Sequence, residues 1–162
     1  MLTAALAVSM LALPGATPSP CSHDQLRVGH GSSQGSAGHV HTPIVFTNKS
    51  SHACTLRGYP GVSSVSGPDG RRIGAPASRD PSLVPRRRIV LHARGGKAKA
   101  LLTRVDVGVL DPGQCHPVRA RGLRVFPPNH AKSFYVALTH TTCSQGGATS
   151  TISRVGASNA FP

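Results

Sequence analysis

No segment of this chain keeps a 3.6-residue apolar period long enough to build an amphipathic helix. Short apolar alternations cut by turn signals recur instead, and these restrict the chain to strands. In HVHTPIVFTN, Val40, Ile44 and Phe46 share one face at the strand period of two, with His39 and His41 on the other. Asn48 to Ser51 makes a turn, and ACTLR begins another strand. Tyr59-Pro60-Gly61-Val62 has Pro second and Gly third, the order of a type II turn. Gly67-Pro68-Asp69-Gly70 ends the alternating GVSSVS. DQLRVGHG reads as a first strand before a Gly/Ser link, and the Pro-rich stretch from Gly74 to Pro85 reads as a loop. RRRIVLHA and KAKALLTRVDV bracket Gly95-Gly96, while GLRVFPP and SFYVALTH flank a turn at Pro127, Pro128 and Asn129. About seven or eight short strands at this spacing predict an all-β fold, an antiparallel Ig-like β-sandwich. With 4% aromatic residues and no Trp, its core must come from Val, Leu, Ile and Ala.

The N-terminal MLTAALAVSMLALPGATPSP holds an apolar run of about a dozen residues, the length of a signal-peptide core and too short to span a bilayer. Residues 1–20 are therefore read as a signal peptide, with cleavage expected after Ala16 or nearby. A buried helix of the domain is the competing reading. The basic residues that usually precede such a core are missing, which points to a true start upstream of Met1. Pro directly before Cys21 argues against a lipid-attachment site. Residues 21–146 are read as the β-sandwich domain, and 147–162 as a Ser/Thr/Ala-rich tail with STISRV as a last strand. No other stretch could be a membrane span, so the mature chain is expected to be secreted or held at the cell envelope.

Four cysteines in an exported chain predict two disulfides, with three connectivities open. If GLRVF and SFYVAL form a hairpin, matching their apolar faces sets Val125 opposite Phe134 and Leu123 opposite Val136. That register brings Cys115 within one residue of Cys143, a mismatch that a bulge absorbs. Cys21 precedes the first strand and Cys54 follows the second, so antiparallel pairing of those strands brings both thiols to one end. The expected bridges are Cys21–Cys54 and Cys115–Cys143. Zinc sites use ligand pairs only a few residues apart, whereas the two nearest cysteines here are Cys115 and Cys143. A nucleophilic thiol would have to be unpaired beside a His. Cys115 and His116 are adjacent, but strand neighbours point to opposite faces.

The stretch from Ala37 to Gly74 carries an apolar strand ending in Thr-Asn, then Ser-Ser, Cys-x-Leu-x-Gly-Tyr-Pro-Gly-Val and a Gly turn. On these residues the chain resembles the actinobacterial exported domains grouped as domain of unknown function 4232. IVLHARGGKAKALL is similar to that family's Leu-x-Pro-Gly-x-x-Ala stretch, LRVFPP also matches, and so do the four cysteines. Arg94 stands where the family usually has Pro, which alters a turn. The resemblance covers about Cys21 to Cys143 and implies an exported or lipid-anchored bacterial β-sandwich. It carries over no activity and no catalytic residue.

Charge gives the remaining signal. Eighteen Lys and Arg stand against five Asp and no Glu, for a net charge of +13. GC-rich coding alone produces Arg-rich surfaces. The functional reading is attraction to a polyanion, with Arg71, Arg72, Arg86, Arg87, Arg88, Arg119, Arg121 and Arg124 as candidate contacts. On alternation Arg124 faces outward while Leu123 and Val125 face in. The partner expected is an anionic envelope polymer or lipid, or an envelope protein. Nucleic acid fits neither export nor four Phe and two Tyr as stacking platforms. His39 and His41 share a face, but two ligands make no metal site, and no metal or cofactor is expected. Asp69 and Asp111 belong to turns, which leaves few carboxylates for a glycosidase, and no Gly-x-Ser-x-Gly elbow occurs. The expected function is thus a secreted, non-enzymatic binding module, with a small secreted hydrolase as the alternative. Asn48-Lys49-Ser50 matches a glycosylation acceptor but reads as a strand-ending turn.

Overall fold

The computed structural model describes residues 17–161; most of the expected signal peptide, residues 1–16, lies outside them. The strands are β1 Leu26–His30, β2 Gln34–Ser36, β3 His39–Asn48, β4 Cys54–Leu56, β5 Gly61–Val65, β6 Arg72–Ile73 and β7 Ser78–Asp80. They continue with β8 Ile89–Leu91, β9 Lys97–Val105, β10 Pro117–Phe126, β11 Phe134–Cys143, β12 Ser150–Ser153 and β13 Gly156–Ala157. The described residues are all-β apart from single helical turns, and no described helix is long and apolar enough to cross a membrane.

One sheet runs β1-β3-β9-β12-β7, with β2 added on β3 and β13 on β9. A second runs β11-β10-β5-β6, and β4 pairs with β8 alone. All pairs between these strands are antiparallel except β12 with β7, which run parallel. The stretch read as a loop from Gly74 to Pro85 therefore contains a strand, β7, too short for its alternation to register. The C-terminal tail is likewise part of the domain, because β12 lies against β9 and buries Ile152.

The two larger sheets share one core. Ile44, Phe46, Ala98, Ala100 and Leu102 come from one, Val62, Leu123, Val125 and Val136 from the other, with Leu56 and Leu91 from the β4–β8 pair. Large residues face small ones across the ladder, Phe46 opposite Ala98 and Ile44 opposite Ala100. This is how a core without Trp packs closely. Burying Phe46 completely is worth roughly 1.5–3 kcal/mol. Pro43 interrupts the ladder between β1 and β3. It has no N–H to give, so pairing with β1 ends at His30–Ile44, and Gly31 N–H donates to the Pro43 carbonyl at 2.8 Å.

Both disulfides join the residues that strand register had placed together, Cys21 to Cys54 and Cys115 to Cys143. In the β10–β11 hairpin Val125 lies opposite Phe134 and Leu123 opposite Val136. The bulge sits between Ala120 and Gly122, but it shifts register the other way and leaves Pro117 opposite Cys143. A single helical turn, Pro112–Cys115, ending in His116 at φ 48°, swings Cys115 back to a Cα separation of 4.7 Å.

One turn differs from its sequence signal. Gly61 already belongs to β5, paired with Phe126, and the positive φ falls on Gly58 at 111°. The chain therefore bends before Tyr59 and not after Pro60. Arg94 takes φ 55° in the β8–β9 turn, a value closed to Pro.

Candidate functional site

The bend at Gly58 organises a strongly basic concavity. β4 ends at buried Leu56, so Arg57 emerges into solvent at the corner. The Gly58 carbonyl accepts the Val155 N–H at 2.9 Å, which fixes the segment after β12 beside the corner. Arg154 is thereby set over Tyr59, its guanidinium carbon 4.9 Å from the ring centroid. Arg79, carried in by β7, lies 5.5 Å from the same ring. Arg154 Nη1 also donates to the carbonyls of Pro81 and Val84, at 2.9 and 2.8 Å. It thus pins the loop that bears Arg86.

Arg57, Arg79, Arg86 and Arg154, with Gly58, Tyr59 and Asn129, line a cleft of about 610 Å³. A second cleft of about 330 Å³ shares Arg57 and Asn129 with it and adds Arg88 and His130. The His130 ring is fixed by contacts of 2.9 Å to the carbonyl oxygens of Pro128 and Cys21. Among the described residues no carboxylate lines either cleft. The acid nearest in sequence, Asp80, accepts from the Ser82 N–H and hydroxyl at 2.8 and 2.6 Å, bonds that hold its carboxyl below the usual range. Among the described residues the one salt bridge is His23–Asp24 at 3.6 Å, so no guanidinium in the clefts is neutralised by an ion pair.

The eight arginines singled out by sequence do not gather in one place. Arg86 lines the first cleft and Arg88 the second, while exposed Arg87 lines neither. Arg72 pairs across from Val65 on β5, and Arg124 from Ser63, which puts both on the face turned away from Leu123 and Val125. Arg71 adjoins β6, and Arg119 and Arg121 are exposed on β10. Arg124 is half-buried and donates through Nη2 to the Gly70 carbonyl at 2.8 Å, so it props a turn.

Arg57, Arg79 and Arg154 were not among the sequence candidates. Arg57 and Tyr59 do lie within the Cys-x-Leu-x-Gly-Tyr-Pro-Gly-Val block, which was a usable signal. Arg79 and Arg154 had none, because the parallel β7–β12 pairing that gathers them leaves no local pattern.

Other chemistries find less support. His39 and His41 stack with ring centroids 6.4 Å apart, and His41 Nδ1 meets Thr103 Oγ1 at 3.0 Å. Among the described residues no three His, Cys, Asp or Glu gather into a metal-binding group. Ser64 Oγ lies 2.9 Å from His140 Nε2, but the other ring nitrogen faces the Leu138 carbonyl at 2.9 Å where a triad would place a carboxylate. Burial pushes the His140 imidazole below its ordinary value, and the charge of Arg104 adds to that. Asn48, the acceptor of the glycosylation motif, is fully buried with its amide bonded on both sides.

Fold and site together define a disulfide-bonded all-β domain with an arginine-lined corner. The chain matches the family described as a domain of unknown function (DUF4232) over residues 21–157, and it belongs to that family. The match runs past Cys143 to include β12 and β13, the strands that bring Arg154 to Tyr59. No curated protein and no solved structure matches the chain.

Proposed function

We propose that this protein is an exported, non-enzymatic binding module, an Ig-like β-sandwich whose arginine-lined corner binds an anionic component of the cell envelope or extracellular space. The observation that carries this reading is the convergence of Arg57, Arg79, Arg86 and Arg154 on one cleft that no carboxylate of the described residues lines. Like charges gathered without compensation are unfavourable in the free protein and become favourable when an anion enters. Guanidinium forks match carboxylate and phosphate oxygens two at a time, which adds geometry to charge. The net charge of +13 extends the attraction beyond the cleft. Two disulfides support an oxidising compartment, and the apolar N-terminal segment supports the route to it.

The test is sedimentation of the oxidised protein with anionic vesicles and with cell-wall material at low and high salt. Binding at low ionic strength that is released by salt is the expected result. Failure to pellet with either material at low salt would overturn the reading.

A further inference from the structure

We infer that the two clefts act as one groove for a linear phosphate-bearing polymer, extended from Tyr59 across Arg57 to His130. This rests on the anion-binding reading above and names the ligand class of that site.

The first observation is continuity. Arg57 and Asn129 line both clefts, so a ligand leaving the first passes directly into the second. Arg79, Arg86 and Arg154 lie at one end, Arg57 in the middle and Arg88 at the other. Cations strung along a groove suit repeated anionic groups better than a single ion. The larger cleft alone, at about 610 Å³, falls within the about 300–1,000 Å³ of pockets that hold whole small molecules.

The second observation is that the groove offers many donors while most of the backbone carbonyls named around it are already occupied. The Pro128 and Cys21 carbonyls face the two nitrogens of the His130 ring, whose single N–H in the neutral form satisfies one of them, the Arg57 carbonyl faces Asn129 Nδ2 at 3.4 Å, and the Gly58 carbonyl holds Val155 N–H. The Pro81 and Val84 carbonyls are held by Arg154. By contrast, the Arg57 and Arg86 guanidiniums make no hydrogen bond to the described protein and are free for a ligand. A chain of phosphates presents acceptors only and fits such walls. An acidic polysaccharide carries hydroxyl donors at every unit, and side-chain acceptors such as Asn129 Oδ1 and the Tyr59 hydroxyl are too few to pair with them all, so part of that donor set would lose water without gaining a partner. A bilayer surface would meet the rim of this recess and leave its floor unfilled.

Calorimetric titration of the oxidised full-length protein tests this, with inorganic phosphate, linear inorganic polyphosphate, polygalacturonate and phosphatidylglycerol vesicles as probes. Polyphosphate is expected to bind more tightly per phosphate than the single ion. Polygalacturonate at equal charge is expected to bind about tenfold more weakly, from unpaired donors. The double variant Arg57→Gln/Arg86→Gln removes two side chains without internal bonds, so it keeps the fold and should lose at least about tenfold in polyphosphate affinity. Lys49→Gln/Lys97→Gln removes the same charge outside the groove and should cost no more than about twofold.

Equal losses in the two double variants would overturn the groove while leaving general anion attraction intact. Polygalacturonate binding as tightly as polyphosphate, or no gain with chain length, would overturn the ligand class alone. Binding to vesicles but not to polyphosphate would replace the groove with a membrane surface. No binding to any probe would overturn this inference and the functional reading together.

Discussion

Arg154 lies 4.9 Å from the centroid of the Tyr59 ring, although the two residues are 95 positions apart in sequence. The contact links the Gly-Tyr-Pro-Gly corner to the segment after β12, and through Arg154 Nη1 to the β7–β8 loop. Arg154→Ala would remove a cation–π contact and two hydrogen bonds. Together these are worth about 2–3 kcal/mol, and the loss should fall mainly on the loop. Limited trypsin digestion should then cut at Arg86, Arg87 or Arg88 several-fold faster than in the parent protein. Unchanged cleavage there would show that Arg154 does not hold the loop.

Tyr59 serves as the plate on which Arg79 and Arg154 rest, and among the described residues its hydroxyl makes no hydrogen bond. Tyr59→Phe should therefore keep both anion binding and stability. Tyr59→Leu should weaken anion binding by about fivefold, since two guanidiniums lose a contact worth about 0.5–1 kcal/mol each. A binding titration of both variants checks this. Equal loss in Phe and Leu would mean that the hydroxyl matters and the stacking does not.

How much of this was legible in the sequence depends on the range of the signal. The β10–β11 register follows from alternation alone, because a slip of one residue would turn Leu123 and Val125 to solvent. The disulfides follow from register in turn. The bend did not follow: Pro60 and Gly61 have the chemistry of a type II turn, but pairing of Gly61 with Phe126 holds that residue extended. Strand β7 is three residues long, and nothing local says that it will lie parallel to β12. The arginine cleft depends on that crossover, so the sequence shows its charge without showing where it converges.

Asn48 is the most tightly committed polar side chain of the core. Its Nδ2 donates to the carbonyls of His52, Leu91 and His92 at 2.8, 3.1 and 3.2 Å, and its Oδ1 accepts from Ser50. Asn48→Ala should cost about 3 kcal/mol by leaving buried groups unpaired. Asn48→Asp, closer in shape, should cost at least as much, because a carboxylate has no donor and would face three carbonyl oxygens. Urea denaturation of the two variants decides it. A milder effect from Asp than from Ala would show that the donor side of the amide is not what matters.

The Cys115–Cys143 bridge closes a loop with a sequence separation of 28, and Cys21–Cys54 one of 33. Each should contribute roughly 3–4 kcal/mol by chain entropy. The first also anchors the end of the hairpin, while the second anchors the N-terminal segment, where Thr55 N–H donates to Ser19 O and Cys21 N–H to Thr55 O at 2.9 Å each. Because the Pro18 and Ser19 carbonyls already take part here, a chain cleaved under the proposed export should begin at or before Pro18. N-terminal sequencing of exported protein tests that, and a mature end at Cys21 would contradict it.

His140 gives the fold a pH dependence with a definite sign. Burial lowers its imidazole in the folded state, Arg104 adds to the shift, and the Leu138 carbonyl opposes it. As pH falls below the ordinary histidine value of about 6.5, the unfolded chain binds a proton that the folded chain refuses. Stability must fall with pH from there to the folded-state value, below which both states are protonated and the slope vanishes. Well above that window His140 contributes no pH dependence. His140→Gln keeps a polar group beside Ser64 and removes the titration, so its stability relative to the parent should rise as pH drops from about 7.5 to 5. Urea midpoints of the two proteins across that range measure the difference. A gap between them that stays constant with pH would show that burial does not hold His140 neutral.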